Sequence, residues 1–123
     1  MIEVLKGFPD DVLAFSCRGH VTRLDYESVL VPTVEKALQK PGKLRLYYQV
    51  DPDFTGIDAG AMWEDFKVGI EHLRRWERVA VVTDVEWIKR AILMFGFLMS
   101  GKVKVFPAAA AAAAEARTWL TGT

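Results

Sequence analysis

From its N-terminus the chain alternates short apolar runs, turn clusters and amphipathic stretches. Ile2 to Leu5 is a short β-type run, and the turn cluster Gly7 to Asp11 leads into VLAFSCRG, Val12 to Gly19, so the two predict an antiparallel hairpin. In the second strand Leu13, Phe15 and Cys17 share one face by period-two alternation, opposite Val12, Ala14, Ser16 and Arg18. Thr22, with Asp25 three residues on, is a variant capping box before a helical spacing through Leu24, Val29 or Leu30, Val34 and Leu38. Pro32 interrupts that spacing and predicts a bend near Val31. Pro41-Gly42 ends the helix, and KLRLYYQV, Lys43 to Val50, reads as a strand.

The loop Asp51 to Gly60 opens a strongly amphipathic helix, with Ala59, Met62, Trp63, Phe66, Ile70 and Leu73 at spacings of three and four. His72, Arg74 and Arg75 crowd its last turn, where cations offset the negative end of the helix dipole. RVAVVTD, Arg78 to Asp84, is nearly continuous in apolar residues, the signature of a parallel strand covered on both faces. Asp84 then caps a helix that Gly96 ends, so ILMFGFLM, Ile92 to Met99, divides into a helix end and a turn. KVKVF, Lys102 to Phe106, is a last strand with outward lysines. Pro107 opens a final helix of seven consecutive alanines, Ala108 to Ala114, anchored by Trp119 and Leu120. The order β-β-α-β-α-β-α-β-α predicts an α/β fold: a mixed, mostly parallel sheet of about four or five strands packed against about four helices.

At 123 residues the length predicts one domain spanning 1–123, large enough for a core without disulfide or metal staples. Sixteen basic residues balance sixteen acidic ones, so no overall field draws the whole molecule to nucleic acid or to an anionic membrane. The balance is uneven along the chain. Residues 1–66 carry seven Lys/Arg against eleven Asp/Glu, and residues 67–104 carry eight against four, which is −4 and +4. The single cysteine, Cys17, rules out an internal disulfide and reads as a packed thiol, consistent with a reducing compartment. MIEVLKGFPDD lacks a basic n-region followed by a long apolar stretch, and no apolar run approaches the roughly 20 residues that span a bilayer. The expectation is a soluble, cytoplasmic protein.

Catalytic chemistry finds little support. His20 and His72 stand in no ligand-like spacing with Cys or Asp, no GxSxG elbow accompanies the serines, and neither GxGxxG nor GxxxxGK[ST] is present. No basic and aromatic stripe suited to single-stranded nucleic acid is found. The expectation is therefore a non-enzymatic protein with no cofactor, no metal site and no nucleic-acid partner. What remains is the loop FTGIDAGAMWED. In parallel α/β sheets, loops at the carboxyl ends of strands are where ligands and partners bind. Asp58 is placed to cap the following helix from there, or to join Thr55 and Gly60 in meeting a partner.

That loop with Trp63-Glu64-Asp65, the segment Arg78 to Asp84 followed by Trp87, and Phe95-Gly96-Phe97-Leu98-Met99 together resemble the SpoIIAA-like proteins, relatives of the STAS domain, over roughly residues 1 to 120. The resemblance implies a four- or five-stranded mixed sheet with helices against it. STAS domains are partner-switching modules that bind an anti-sigma factor or its kinase through the loop before the second long helix, with a phosphorylatable serine in a pattern like MDSSG. Here that pattern falls on Ile57-Asp58-Ala59-Gly60-Ala61, which keeps the aspartate and lacks both hydroxyls. The SpoIIAA-like branch is also similar in architecture to CRAL-TRIO (Sec14-like) lipid carriers, which implies binding of an apolar small molecule or association with a membrane.

Two sets of candidate residues follow. Met62, Trp63, Phe66 and Ile70 on one helix, with Trp87, Ala91, Met94 and Phe95 on the next, are the expected contacts for an apolar ligand or a membrane surface. Lys89, Arg90, Lys102 and Lys104 flank the second group. Thr55, Asp58 and Gly60 form the expected partner-binding loop of an interaction regulator without the serine switch. A peripheral position at the membrane and a homodimer are both compatible with this pattern. ILMFGFLM supplies more apolar surface than one packed face needs, and its surplus is expected to meet a neighbouring helix, a second subunit or a ligand.

Overall fold

An interior strand of the sheet, β2 (Val12–Cys17), is buried along its whole length, because its alternation serves two cores at once. Leu13, Phe15 and Cys17 enter one apolar cluster, while Val12 and Ala14 enter the other. The computed structural model describes residues 1–60, 67, 75–98 and 103–121, and of 95–98 the backbone alone. β1 (Ile2–Val4) pairs antiparallel with β2, with Ile2 opposite Cys17 and Val4 opposite Phe15, as the hairpin reading expects. Beyond β2 lie β4 (Leu44–Val50), β6 (Trp76–Val82) and β7 (Val103–Phe106), all parallel, giving the order β1-β2-β4-β6-β7. This is the mixed, mostly parallel α/β sheet the sequence predicts. A second, two-stranded parallel sheet was not foreseen: β3 (His20–Val21) pairs with β5 (Gly56–Ile57) beyond the carboxyl ends of β2 and β4.

The first helical stretch has an irregularity that moves its apolar face. α1 (Arg23–Asp25) carries the capping box, with the Asp25 amide donating to the Thr22 hydroxyl and the Thr22 amide to the Asp25 carboxylate. A π-helical turn, Tyr26–Leu30, then leads directly into α2 (Val31–Leu38), and the Val31 amide donates to the Tyr26 carbonyl. Pro32 explains it. Proline has no amide and its ring crowds the carbonyl four residues back, and the wider π turn just before it absorbs both problems. The buried stripe is therefore Tyr26, Leu30 and Val34. Leu24, expected in the apolar face, is 70% exposed, because the extra residue of the π turn puts what precedes it out of phase. The buried Tyr26 hydroxyl is satisfied at 2.6 Å by that of Tyr48 on β4.

One residue has an unforeseen role, and two further expectations are corrected in detail. The first is Arg75. It donates to the carbonyls of Gly42 at 2.8 Å, Leu38 at 3.2 Å and Lys40, closing the frayed end of α2 and the turn into β4. Asp84 does not cap the next helix. Its carboxylate accepts from the Ala108 amide, and the buried hydroxyl of Thr83 takes the Val85 amide instead. Gly96 does not end α3 (Glu86–Leu98), which runs through it. A mid-helix glycine costs about 1 kcal/mol, less than is needed to stop a helix already propagating.

α4 (Ala110–Thr121) starts three residues after Pro107 and covers the sheet face opposite α2 and α3. Its tract of alanines has a packing role. Ala112, Ala113 and the fully buried Ala116 lie over a cluster containing Ala14 and Ala80, so small residues on both sides let the helix backbone rest close to the strands. Its far end is tied down by cations, with Arg45 Nη1 donating to the Leu120 carbonyl at 2.6 Å and Arg78 Nη1 to that of Trp119.

Candidate functional site

The loop after β4 is built by the small parallel sheet. Gly19, with φ of 55°, turns the chain from β2 into β3, and its carbonyl accepts from the Thr55 amide at 2.9 Å. Pairing of His20 with Gly56 and of Val21 with Ile57 then brings Asp58 beside β3, its amide donating to the Val21 carbonyl at 2.9 Å. The Asp58 carboxylate lies 2.6 Å from His20 Nε2 and accepts the Arg23 amide at 3.4 Å. Its described bonds thus reach across to β3 and the start of α1, where the sequence suggested a cap on its own helix. At Gly60 a Cβ would stand 3.0 Å from Cδ of the exposed Arg23 side chain, so a larger residue there requires that chain to shift. The Arg23 side chain passes that point to donate to Glu27 at 2.8 Å.

The hydrogen bond from His20 outweighs a small desolvation penalty and, with the Arg23 amide, holds the Asp58 carboxyl below its ordinary 3.8. A depressed folded value means this stabilisation is complete above the unfolded value and is lost as pH falls through the folded one. The expected window lies below pH 3.8. An Asp58→Asn variant should therefore show a weaker fall in stability below that pH than the unchanged chain, read as melting temperature against pH; parallel curves would refute the tie.

Beside it, Arg18 is surrounded by Glu3 at 3.6 Å, Asp51 at 3.4 Å and Asp53 at 3.6 Å, so part of the acidic excess of the first half is gathered around one guanidinium at this end of the sheet. Among the described residues no group of three or more His, Cys, Asp or Glu is placed to hold a metal ion. Thr55 is exposed at the rim of this loop and Ala59 beside it, so the surface offers a shaped edge with a fixed carboxylate and no hydroxyl at positions 59 and 60.

The second candidate surface lies on α3. Val85, Ile88 and Ile92 turn toward the core. At about 100° per residue, Trp87, Ala91 and Met94 fall together on the adjoining flank. All three are exposed, Trp87 at 45% and Met94 at 76%. Arg90, exposed, borders this flank, and Leu93, 65% exposed, lies beyond it. Phe95 lies on the α3 backbone, with its side chain outside the described residues, as are Met62, Trp63, Phe66 and Ile70 altogether. No described helix is long and apolar enough to cross a membrane.

Sequence reasoning missed His20 and Arg23. Thirty-eight positions separate His20 from Asp58, and only the pairing of β3 with β5 joins them. The one available signal was the short β-type pair His20-Val21 just past the strand, too brief for period-two alternation to register.

The SpoIIAA-like family profile matches residues 12–121. A crystal structure of an uncharacterized protein from the DUF3478 family with a SpoIIAA-like fold, from Shewanella loihica PV-4, is similar at a TM-score of 0.71 and 27% sequence identity, covering 98% of this chain and 92% of that one. No curated protein matches. The fold is compatible with a STAS-type regulatory domain. Sheet order, profile and structural likeness agree: the chain belongs to the SpoIIAA-like family.

Proposed function

We propose that the protein is a non-enzymatic binding module whose α3 flank takes apolar partners, with the acyl region of a membrane surface as the principal one. The observation that carries this reading is the exposed set Trp87, Ala91 and Met94 on a helix whose core stripe is already filled by Val85, Ile88 and Ile92. Scattered exposed apolar residues need no explanation, but a tryptophan and a methionine on one flank of one helix form a patch. An open flank suits a surface better than an enclosed ligand. The exposed Arg90 on the same helix suits anionic headgroups, and tryptophan is favoured at the membrane interface.

Sedimentation with phosphatidylglycerol/phosphatidylcholine vesicles tests it. Burying a Trp and a Met side chain is worth about 1.5–3 kcal/mol each, so Trp87→Ser with Met94→Lys should lower the vesicle partition at least about tenfold. Equal sedimentation of variant and wild type, or none by the wild type, sinks the reading. Binding of free fatty acid without vesicle binding would transfer the flank to a small apolar ligand.

A second reading, a protein-interaction regulator of STAS type using Thr55, Asp58 and Gly60, is supported by the Asp58 carboxylate being fixed by His20 and Arg23 at the loop edge. Affinity purification from the native host should then recover a kinase-like or sigma-related partner, with recovery falling for Asp58→Lys. Unchanged recovery counts against that surface.

A further inference from the structure

The sheet order lays the uneven charge of the chain out in space. β1, β2 and β4 come from residues 1–66, which carry the acidic excess, and β6 and β7 from residues 67–104 and just beyond, which carry the basic one. The basic side ends in an open edge. Among the described residues β7 pairs with β6 alone. The Phe106 carbonyl accepts from the Thr83 amide at 2.9 Å, so Phe106 and, by alternation, Lys104 turn their backbone groups toward β6. Val103 and Val105 therefore each turn an N–H and a C=O outward, and no described residue meets them.

The side chains beside that row set its chemistry. Lys104 is exposed, with its ammonium 5.3 Å from the Phe106 ring and 5.8 Å from that of Trp119, and the Arg78 guanidinium lies 5.4 Å from the same indole. Neither cation has a carboxylate partner among the described residues. Val103 packs on the other face, against the α3-side cluster, and Val105 is half-buried. A lysine on an edge strand deters pairing with a neutral or basic strand. The same charge favours a strand that carries carboxylates, because opposite charges on neighbouring strands stabilise the pair and like charges destabilise it.

We infer that the β7 edge is a docking site for an extended acidic segment of a partner protein, added as a further strand with carboxylates on the Lys104 side and β-branched residues on the Val103 and Val105 side. The outward backbone groups fix the pairing, and the two unneutralised cations fix the charge. None of Trp87, Ala91 and Met94 takes part, so this site and vesicle binding fail separately.

The probe is a fluorescein-labelled peptide, Thr-Val-Glu-Val-Glu-Val-Thr, and its control carries lysine at both glutamate positions. Anisotropy titration with the full chain should show binding of the glutamate peptide that weakens with added salt, and none of the lysine peptide. Lys104→Glu should weaken it about fivefold. Hydrogen exchange reads the backbone: the glutamate peptide should slow exchange at the Val103 and Val105 amides about tenfold, while those of Lys104 and Phe106, held by β6, are protected with or without it. Val105→Pro removes an amide that β6 does not use, so it should fold and lose the peptide. No binding of the glutamate peptide, equal binding of the two peptides, or a bound peptide that leaves the Val103 and Val105 amides exchanging freely overturns the inference. So does concentration-dependent self-association with those two amides already protected, which would give the edge to a second copy of the chain. Should Val105→Pro fail to fold, the exchange pattern of the wild type decides.

Discussion

Replacing Arg75 by Met is expected to lower the folding stability by about 3 kcal/mol, or roughly 10 °C in Tm. Arg75 ends the segment before β6, yet its guanidinium closes the C-terminus of α2 and the turn into β4 through three carbonyls, those of Leu38, Lys40 and Gly42. Hydrogen bonds from a charged donor contribute about 1.5–3 kcal/mol each in favourable settings, and these three are partly solvated, so their sum is discounted. The aliphatic stem survives in Met, which isolates the loss to the charged head. Arg75→Lys should recover part of the stability, since one ammonium replaces the helix-end charge but cannot span three carbonyls. Urea denaturation of the three proteins measures it. An Arg75→Met protein within about 0.5 kcal/mol of wild type would mean that water replaces the guanidinium without loss.

Ala116→Leu should cost about 1–3 kcal/mol, while Ala111→Leu, on the exposed side of the same helix, should be nearly neutral. The difference follows from the packing of α4. Ala116 is fully buried over the cluster that holds Ala14 and Ala80, and a leucine there must lift the helix or distort the strands. Lifting it would also draw the carbonyls of Trp119 and Leu120 away from Arg78 and Arg45. Thermal melts of the two variants give the comparison, and equal melting temperatures would remove the packing role assigned to the alanine tract.

The legible part of the candidate sites was the part encoded within a single element. Trp87, Ala91 and Met94 were marked as surplus to a packed face because helical periodicity counts faces, and they emerge exposed on one flank. Asp58 was marked because its loop follows a strand and precedes a helix, and the resemblance points at the same loop. Its partners were not, since a local sequence window carries no information about a histidine thirty-eight positions away. The same limit explains the misassigned cap at Asp84 and the unforeseen bonds of Arg75. A charged side chain near a helix end reads as serving that helix, and a local window does not show that Asp84 reaches the loop after β7 or that Arg75 reaches the end of α2.

The sequence by itself determined the α/β class, the antiparallel hairpin, the parallel strands with their buried faces, and the two-core alternation of Leu13, Phe15 and Cys17 against Val12 and Ala14. Those follow from short-range patterns, in which burial repeats with the period of the backbone. Tertiary structure alone decided the β3–β5 pair that ties His20 to Asp58 and the bulge that turns Trp76 inward. Each is settled by contacts between distant segments whose combined energies exceed the local preference they override.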